Sequence, residues 1–179
     1  MLLVNITGQP GAGKSTLAAG LFHALKTRSW DVEMIIEYTK ELNHQQNFWT
    51  LSDELLVFAE KYKRIKKFAG VDIVITDSPL QCSMHYGKDQ FGEAGFNFFE
   101  HVADTAFDSI YFVMPDPEKY NPIGRHSDVN IAKRAGDEIT SFIRQSSGPV
   151  WDLERGTDHL AYVIDIVESA AKQRNIQPR

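Results

Sequence analysis

Cysteine is nearly absent: Cys82 is the single one in 179 residues. That excludes a disulfide framework and any metal site built on cysteines, and it fits a reducing compartment. Long apolar runs are missing as well. No stretch approaches the roughly 20 residues that a membrane-spanning helix needs. The N-terminus lacks the basic segment and extended apolar core of a secretory leader. The expectation is a cytoplasmic protein with no membrane contact. Basic excess is also lacking, since 19 Lys and Arg stand against 24 Asp and Glu, a formal charge of −5. Such a balance exerts no global pull on polyanions. The six histidines are scattered without ligand spacing, and there is no repeat, low-complexity tract or linker.

The composition that remains, 42% apolar and 24% charged, is ordinary for a globular chain. Its length suits one domain over residues 1–179. The most informative stretch comes first. Leu2 to Thr7 is apolar and β-prone, and Gly8-Gln9-Pro10-Gly11-Ala12-Gly13-Lys14-Ser15 follows at once, then the helix-like Thr16-Leu17-Ala18-Ala19. Strand, G-x-x-x-x-G-K-[ST] and helix in that order make a P-loop. Glycines let successive N–H groups turn toward a phosphate, and the helix N-terminus adds partial positive charge. Lys14 can reach the β- and γ-phosphates of ATP, Ser15 is placed to ligate Mg²⁺, and residues 8–16 together form the phosphate site.

Further along, helices are expected over Thr16–Lys26, Ser52–Phe68, Phe96–Ala106, Asp128–Gln145 and Thr157–Lys172. Strands are expected over Asp31–Ile36, Val71–Thr76, Ser109–Met114 and Val150–Leu153. Tyr38–Thr50 reads as a loop or short helix. Gly87–Gly95 reads as a mobile glycine-rich loop. On the helix from Ser52, Leu55, Phe58, Ala59, Tyr62, Ile65 and Ala69 are the expected apolar face. The alternation predicts an α/β fold with a five-stranded parallel sheet covered on both faces, a P-loop NTPase of the nucleotide-kinase type in three layers. In such sheets ligands bind at the carboxyl ends of the strands. The P-loop, Glu37 and Asp77 each follow a strand there.

The reaction class follows from what surrounds Asp77. A GTPase should carry Asp-x-x-Gly where Asp77-Ser78-Pro79-Leu80 stands, and Thr39-Lys40-Glu41-Leu42 is no guanine-reading motif. A motor ATPase usually has a water-activating glutamate after its Walker-B aspartate, and here that position is Ser78. A kinase needs a carboxylate beside the acceptor hydroxyl and a closing lid. Asp77 either holds Mg²⁺ with Ser15 or acts as the base. Glu37 is the other candidate base, or holds the acceptor. Residues 115–135 form the expected lid, with Arg125 beside Gly124 to stabilise charge on the γ-phosphate and Arg134 on the next helix as a phosphate contact.

Gly8 to Ser15, Glu37-Tyr38-Thr39-Lys40-Glu41-Leu42, Ile75-Thr76-Asp77-Ser78-Pro79-Leu80 and Tyr120-Asn121-Pro122-Ile123-Gly124-Arg125 together resemble the phage P-loop kinases that act as 5-hydroxymethyluridine DNA kinases. These belong to a wider ATPase group that includes the ribosylnicotinamide kinase domain. The resemblance implies ATP and Mg²⁺ as cofactors, and a five-stranded parallel sheet. The implied acceptor is DNA containing 5-hydroxymethyluracil, phosphorylated on its hydroxymethyl group as a step of thymidine hypermodification that evades host restriction. The host cytoplasm would then be the compartment. The runner-up is a kinase of a free nucleoside, nucleotide or ribosylnicotinamide-like molecule, and a third reading is a nucleotide-binding regulator without acceptor. Lys61, Lys63, Arg64, Lys66 and Lys67 are either a DNA track or the solvated face of a helix. Tyr38, Phe48, Trp49, Tyr86 and Phe91 are expected in loops, where they could stack on a base.

Overall fold

The apolar run Leu2–Thr7 forms β1, and every one of its residues is buried, as a strand covered on both faces must be. It is the centre of the sheet. The structure, a computed structural model, describes residues 1–117 and 129–179. Val32–Ile35 (β2), Ile73–Thr76 (β3), Asp108–Val113 (β4) and Val150–Asp152 (β5) complete a five-stranded sheet in the order β2-β3-β1-β4-β5. All four pairings are parallel, with Asn5 opposite Thr76, Ile35 opposite Thr76 and Thr7 opposite Val113. The chain leaves β1 toward one edge and later returns to its other side. The carboxyl end of β1 is therefore the switch point of the sheet, where a crevice opens.

Alternation along the strands feeds two cores. Leu2, Val4, Ile6, Ile73, Ile75, Ile110 and Phe112 face one layer, formed by Lys14–Thr27 (α1) and His159–Gln173 (α7). Leu3 and Val74 face the other, where Glu54–Lys66 (α4) and Cys82–Thr105 (α5) supply Phe58, Ile65, Met84, Phe99 and Ala103. Val129–Gln145 (α6) joins that second layer through Phe142, which meets Phe96 edge-on. Two short helices, Tyr38–His44 (α2) and Phe48–Leu51 (α3), bridge β2 to α4. The three-layer α/β sandwich expected from the sequence is the fold observed.

Two expectations change. Gly87–Gly95 is not a loop: it lies inside α5, which bends sharply at Gly92 (φ 63°, ψ −153°), a conformation open only to glycine. The bend folds the two halves together, and a Cβ at position 87 would sit 2.0 Å from a ring carbon of Phe99. These glycines serve close packing, which local sequence does not distinguish from looseness. The aromatics expected in loops accordingly sit on helices: Tyr86 and Phe91 on α5, Tyr38 on α2, and Phe48 and Trp49 on α3. On α4 the inward face is Glu54, Val57, Phe58, Lys61 and Ile65, while Leu55, Ala59 and Ala69 are exposed. The helix is rotated from the expected phase, and two charged side chains have displaced apolar ones at the interior.

Candidate active site at the carboxyl edge of the sheet

The P-loop is positioned by β1 on one side and α1 on the other. At Gly8 (φ 130°) a Cβ would lie 2.9 Å from the Cβ of Met114, so the loop lies directly against the end of β4 and tolerates no side chain there. Gly13 caps α1 in the left-handed region, which puts Lys14 and Ser15 in the first helical turn. Lys14 Nζ donates to the carbonyls of Gly8 at 3.0 Å and Gln9 at 3.1 Å, spanning the loop's own mouth. Gly11, Gly13, Ser15 and Thr16 are exposed, and Gln9, Pro10 and Ala12 half-buried.

Asp77 follows β3 by one residue and is 5% exposed. Its Oδ2 accepts from Ser15 Oγ at 2.5 Å, while its Oδ1 is buried without a partner. A buried carboxylate oxygen left open beside a serine hydroxyl is a hard-oxygen donor set of the kind Mg²⁺ takes with nucleotide phosphates. The residues present fit that ion. Asp77 and Ser15, 62 positions apart, are thus brought together by the register of β1 and β3.

Glu37 stands two residues beyond β2, at the N-cap position of α2 but with no side-chain bond to the helix backbone. Its Oε1 accepts from Thr39 Oγ1 at 2.7 Å, which fixes the carboxylate's direction. Arg134 is exposed on α6. That helix approaches the P-loop one turn away, where Gln9 Nε2 donates to Asp137 at 3.2 Å. Arg125 and the stretch Tyr120–Arg125 lie outside the described residues, as does most of the expected lid segment 115–135. A cleft of about 390 Å³ opens on the β4 and β5 side, lined by Gln9, Asp116, Asp137 and Asp152. Its Arg144 is clamped by Asp152 at 2.9 and 2.5 Å, so this cleft is acidic.

The opposite side, toward β2 and β3, holds residues the sequence reading missed. Glu54 is 6% exposed and Lys61 is 5% exposed on α4, and Ser83 of α5 has no exposed surface. Burial pushes the Glu54 carboxyl above its ordinary value, against the pull of the Ser83 hydroxyl and the charge of Lys61. Lys61 Nζ donates to Pro79 O at 2.9 Å, pinning the turn after Asp77. Burial also raises the Cys82 thiol, which feels Lys61, Glu37, Lys14 and Glu54 together. Tyr86, one turn on, is raised by desolvation and by Cys82, Glu54 and Glu37. Glu37 and Glu54 thus act on both the Cys82 thiol and the Tyr86 hydroxyl. The signal in the sequence was the spacing 54, 58, 61, 65, which places Glu54 and Lys61 on the same stripe as Phe58 and Ile65.

The basic cluster on α4 proves to be divided. Lys61 is buried, and Arg64 grips Glu41 with bonds of 2.6 and 2.8 Å, reaches Glu60 at 3.1 Å and lies 4.4 Å over the Tyr38 ring. Lys63 pairs with Glu60 at 3.3 Å. Lys66 and Lys67 are exposed, so no continuous basic track runs along the helix. Tyr38 is occupied by Arg64, while Phe48, Trp49, Tyr86 and Phe91 keep 44–78% of their surface exposed.

Among solved structures, the fold is similar to a NadR protein in complex with NR. The TM-score is 0.71 and the identity 20%, over 95% of this chain and 51% of that one. The chain thus spans about half the length of that NadR protein. It is similar also to deoxyadenosine kinase from M. mycoides, solved with products dCMP and a flexible dCDP bound (TM-score 0.57, 16% identity, 96% of this chain and 99% of that one). The same kinase with bound dATP gives a TM-score of 0.55 at 15% identity, over 95% and 99% of the two chains. The fold is that of the P-loop nucleoside kinases. No curated protein matches the sequence. Residues 3–158 match the AAA domain family, and the chain, with its P-loop and parallel sheet inside that span, belongs to this family.

Proposed function

We propose that the protein is an ATP-dependent kinase whose acceptor is the hydroxyl of a free, nucleoside-like small molecule. The observation that carries this reading is the pair of carboxylates flanking the P-loop. One, Asp77, is committed to Ser15, and the other, Glu37, is oriented by Thr39. The likeness in fold to a deoxyadenosine kinase and to NadR with NR supports the same class of acceptor. Ser78 after Asp77 argues against a water-activating role, because it cannot accept a proton as a glutamate would.

In this reading the backbone N–H groups of residues 11–16 hold the ATP phosphates, and Lys14 exchanges its carbonyl contacts for the β- and γ-oxygens. Ser15 and Asp77 would hold Mg²⁺, which when bound neutralises charge developing on the phosphates. With Asp77 engaged there, Glu37 takes the acceptor proton as the hydroxyl attacks the γ-phosphorus in line and the bond from phosphorus to the ADP leaving group breaks. Arg125 and Arg134 belong to the closing segment 115–135, supplying positive charge as water is excluded. The divided basic cluster weighs against duplex DNA as acceptor, since a polymer needs a continuous line of phosphate contacts.

Transfer of labelled γ-phosphate from ATP tests the reading. One tube holds a panel of nucleosides and their monophosphates, the other duplex DNA containing 5-hydroxymethyluracil. Label in a nucleoside is expected. Label in the DNA alone would move the acceptor to the hydroxymethyl base, and ATP binding with no transfer would leave a nucleotide-binding regulator.

A further inference from the structure

Lys61 has no task in the chemistry above, yet the fold buries it. It stands on the inward stripe of α4 with Phe58 and Ile65, where an apolar side chain would pack without desolvating a charge. Among the described residues it closes no ion pair, and its Nζ donates to Pro79 O at 2.9 Å.

The carbonyl it holds belongs to the turn that carries Asp77. The last paired residue of β3 is Thr76, opposite Asn5 and Ile35, so Asp77 stands one position past the ladder. From there the chain turns into α5, with Ser78 N donating to Thr76 Oγ1 at 3.2 Å and Cys82 N to Pro79 O at 3.2 Å. The Lys61 bond ties this turn to α4. The same side chain lines a cavity of about 10 Å³ together with Thr76 and Ser78, the residues on either side of Asp77. The Asp77 carboxylate needs such support. Its Oδ2 takes the Ser15 hydroxyl at 2.5 Å, and its Oδ1 is buried and open. Ligand carboxylates keep their aim through groups outside the site, to within about 0.5 Å.

We infer that Lys61 is a positioning residue for the metal site, holding through Pro79 O the turn that aims Asp77 at Ser15 and at Mg²⁺. This rests on the reading of Ser15 and Asp77 as the Mg²⁺ ligands of a kinase. Fold and site should respond differently to the loss of Lys61. Pro79 O keeps its bond from Cys82 N, so an apolar replacement leaves that carbonyl paired and removes a buried charge. The turn, however, comes loose from α4.

Calorimetric titration of the β,γ-imido analogue of ATP, with Mg²⁺ and with EDTA in its place, reads this directly. In the wild type Mg²⁺ should tighten the analogue at least tenfold. Lys61→Met should weaken the Mg²⁺ complex at least fivefold, with its affinity in EDTA within twofold of wild type. Its urea midpoint should equal or exceed that of the wild type. Lys61→Gln stays polar but falls short of Pro79 O, and should show the same loss. Lys61→Arg keeps a long donor and should recover part of it. A full Mg²⁺ gain in Lys61→Met or Lys61→Gln, an equal loss with and without Mg²⁺, or no Mg²⁺ gain in the wild type would each overturn the inference. A gain that depends on Lys61, in a protein that passes phosphate from ATP to no acceptor, would sink the kinase reading and leave the positioning role intact.

Discussion

The two helical layers of this protein solve different problems. On one face, α1 and α7 meet the sheet through Leu17, Leu21, Leu25, Val163, Ile164, Val167 and Ala171, all apolar and buried. On the other, α4 and α5 bury Glu54, Lys61 and Ser83 among Phe58, Ile65, Met84 and Phe99, and α5 bends in its middle. The difference teaches where function sits. A layer whose one duty is to hold the P-loop can be uniformly apolar, and gains stability from burial alone. A layer that buries charged and polar side chains gives up part of that gain to their desolvation.

The largest expected effects separate chemistry from scaffold. Lys14→Ala and Asp77→Asn should each lower kcat by three orders of magnitude or more, roughly 4 kcal/mol of transition-state stabilisation. Their urea midpoints should stay close to wild type. Normal turnover in either variant would break the assignment of the donor site. Next, Leu21→Ala, at a fully buried position of the apolar layer, should cost about 2–5 kcal/mol of stability in urea unfolding. The acceptor KM should be unaffected under native conditions.

Gly87→Ala probes the other layer. The added methyl meets the Phe99 ring, so about 1–3 kcal/mol of stability should be lost as the bend in α5 opens. Because Tyr86 and Cys82 move with that half of the helix, acceptor affinity should fall while ATP affinity holds. Equal losses at both sites would mean that the layers are not independent.

A pH series sharpens the contrast within the second layer. Glu54 is raised by burial, so the folded state holds its proton more tightly, and its contribution to stability declines as pH rises through the interval above 4.5. Glu41 is lowered by the Arg64 guanidinium hydrogen-bonded to it, so its contribution is present above pH 4.5 and lost as pH falls below that value. Glu54→Gln should therefore raise stability at neutral pH, while Arg64→Ala should flatten the acid limb of the curve. Thermal melts between pH 3 and pH 8 would show whether the two slopes oppose each other. The smallest effect belongs to Lys63, Lys66 and Lys67: changing all three to Gln should shift stability by roughly 0.5 kcal/mol or less per site. It should leave transfer to small acceptors unchanged.

Much of this was legible in the chain. The P-loop spacing, the β-branched strand before Asp77 and the alternation of elements predict the sheet and its carboxyl-edge site, because these patterns are short-range and tied to backbone geometry. Glu37 and Asp77 were legible by the same rule, each following a strand. The pairing of Ser15 with Asp77 was foreseeable as a shared metal role, and β-sheet register supplied the contact. Lys61 was read as one of a basic cluster and Glu54 was not singled out, since charged residues on an amphipathic helix are usually solvated.

By itself, then, the sequence determined the P-loop, the parallel α/β architecture and the edge on which the site lies, since each follows from local spacing and strand order. Only the tertiary structure decided the rotation of α4, the bend at Gly92, the capture of Arg64 by Glu41 and the burial of Glu54 and Lys61. Those depend on which faces meet across tens of residues, and on whether a charge finds a partner once water is gone, neither of which any window of sequence contains.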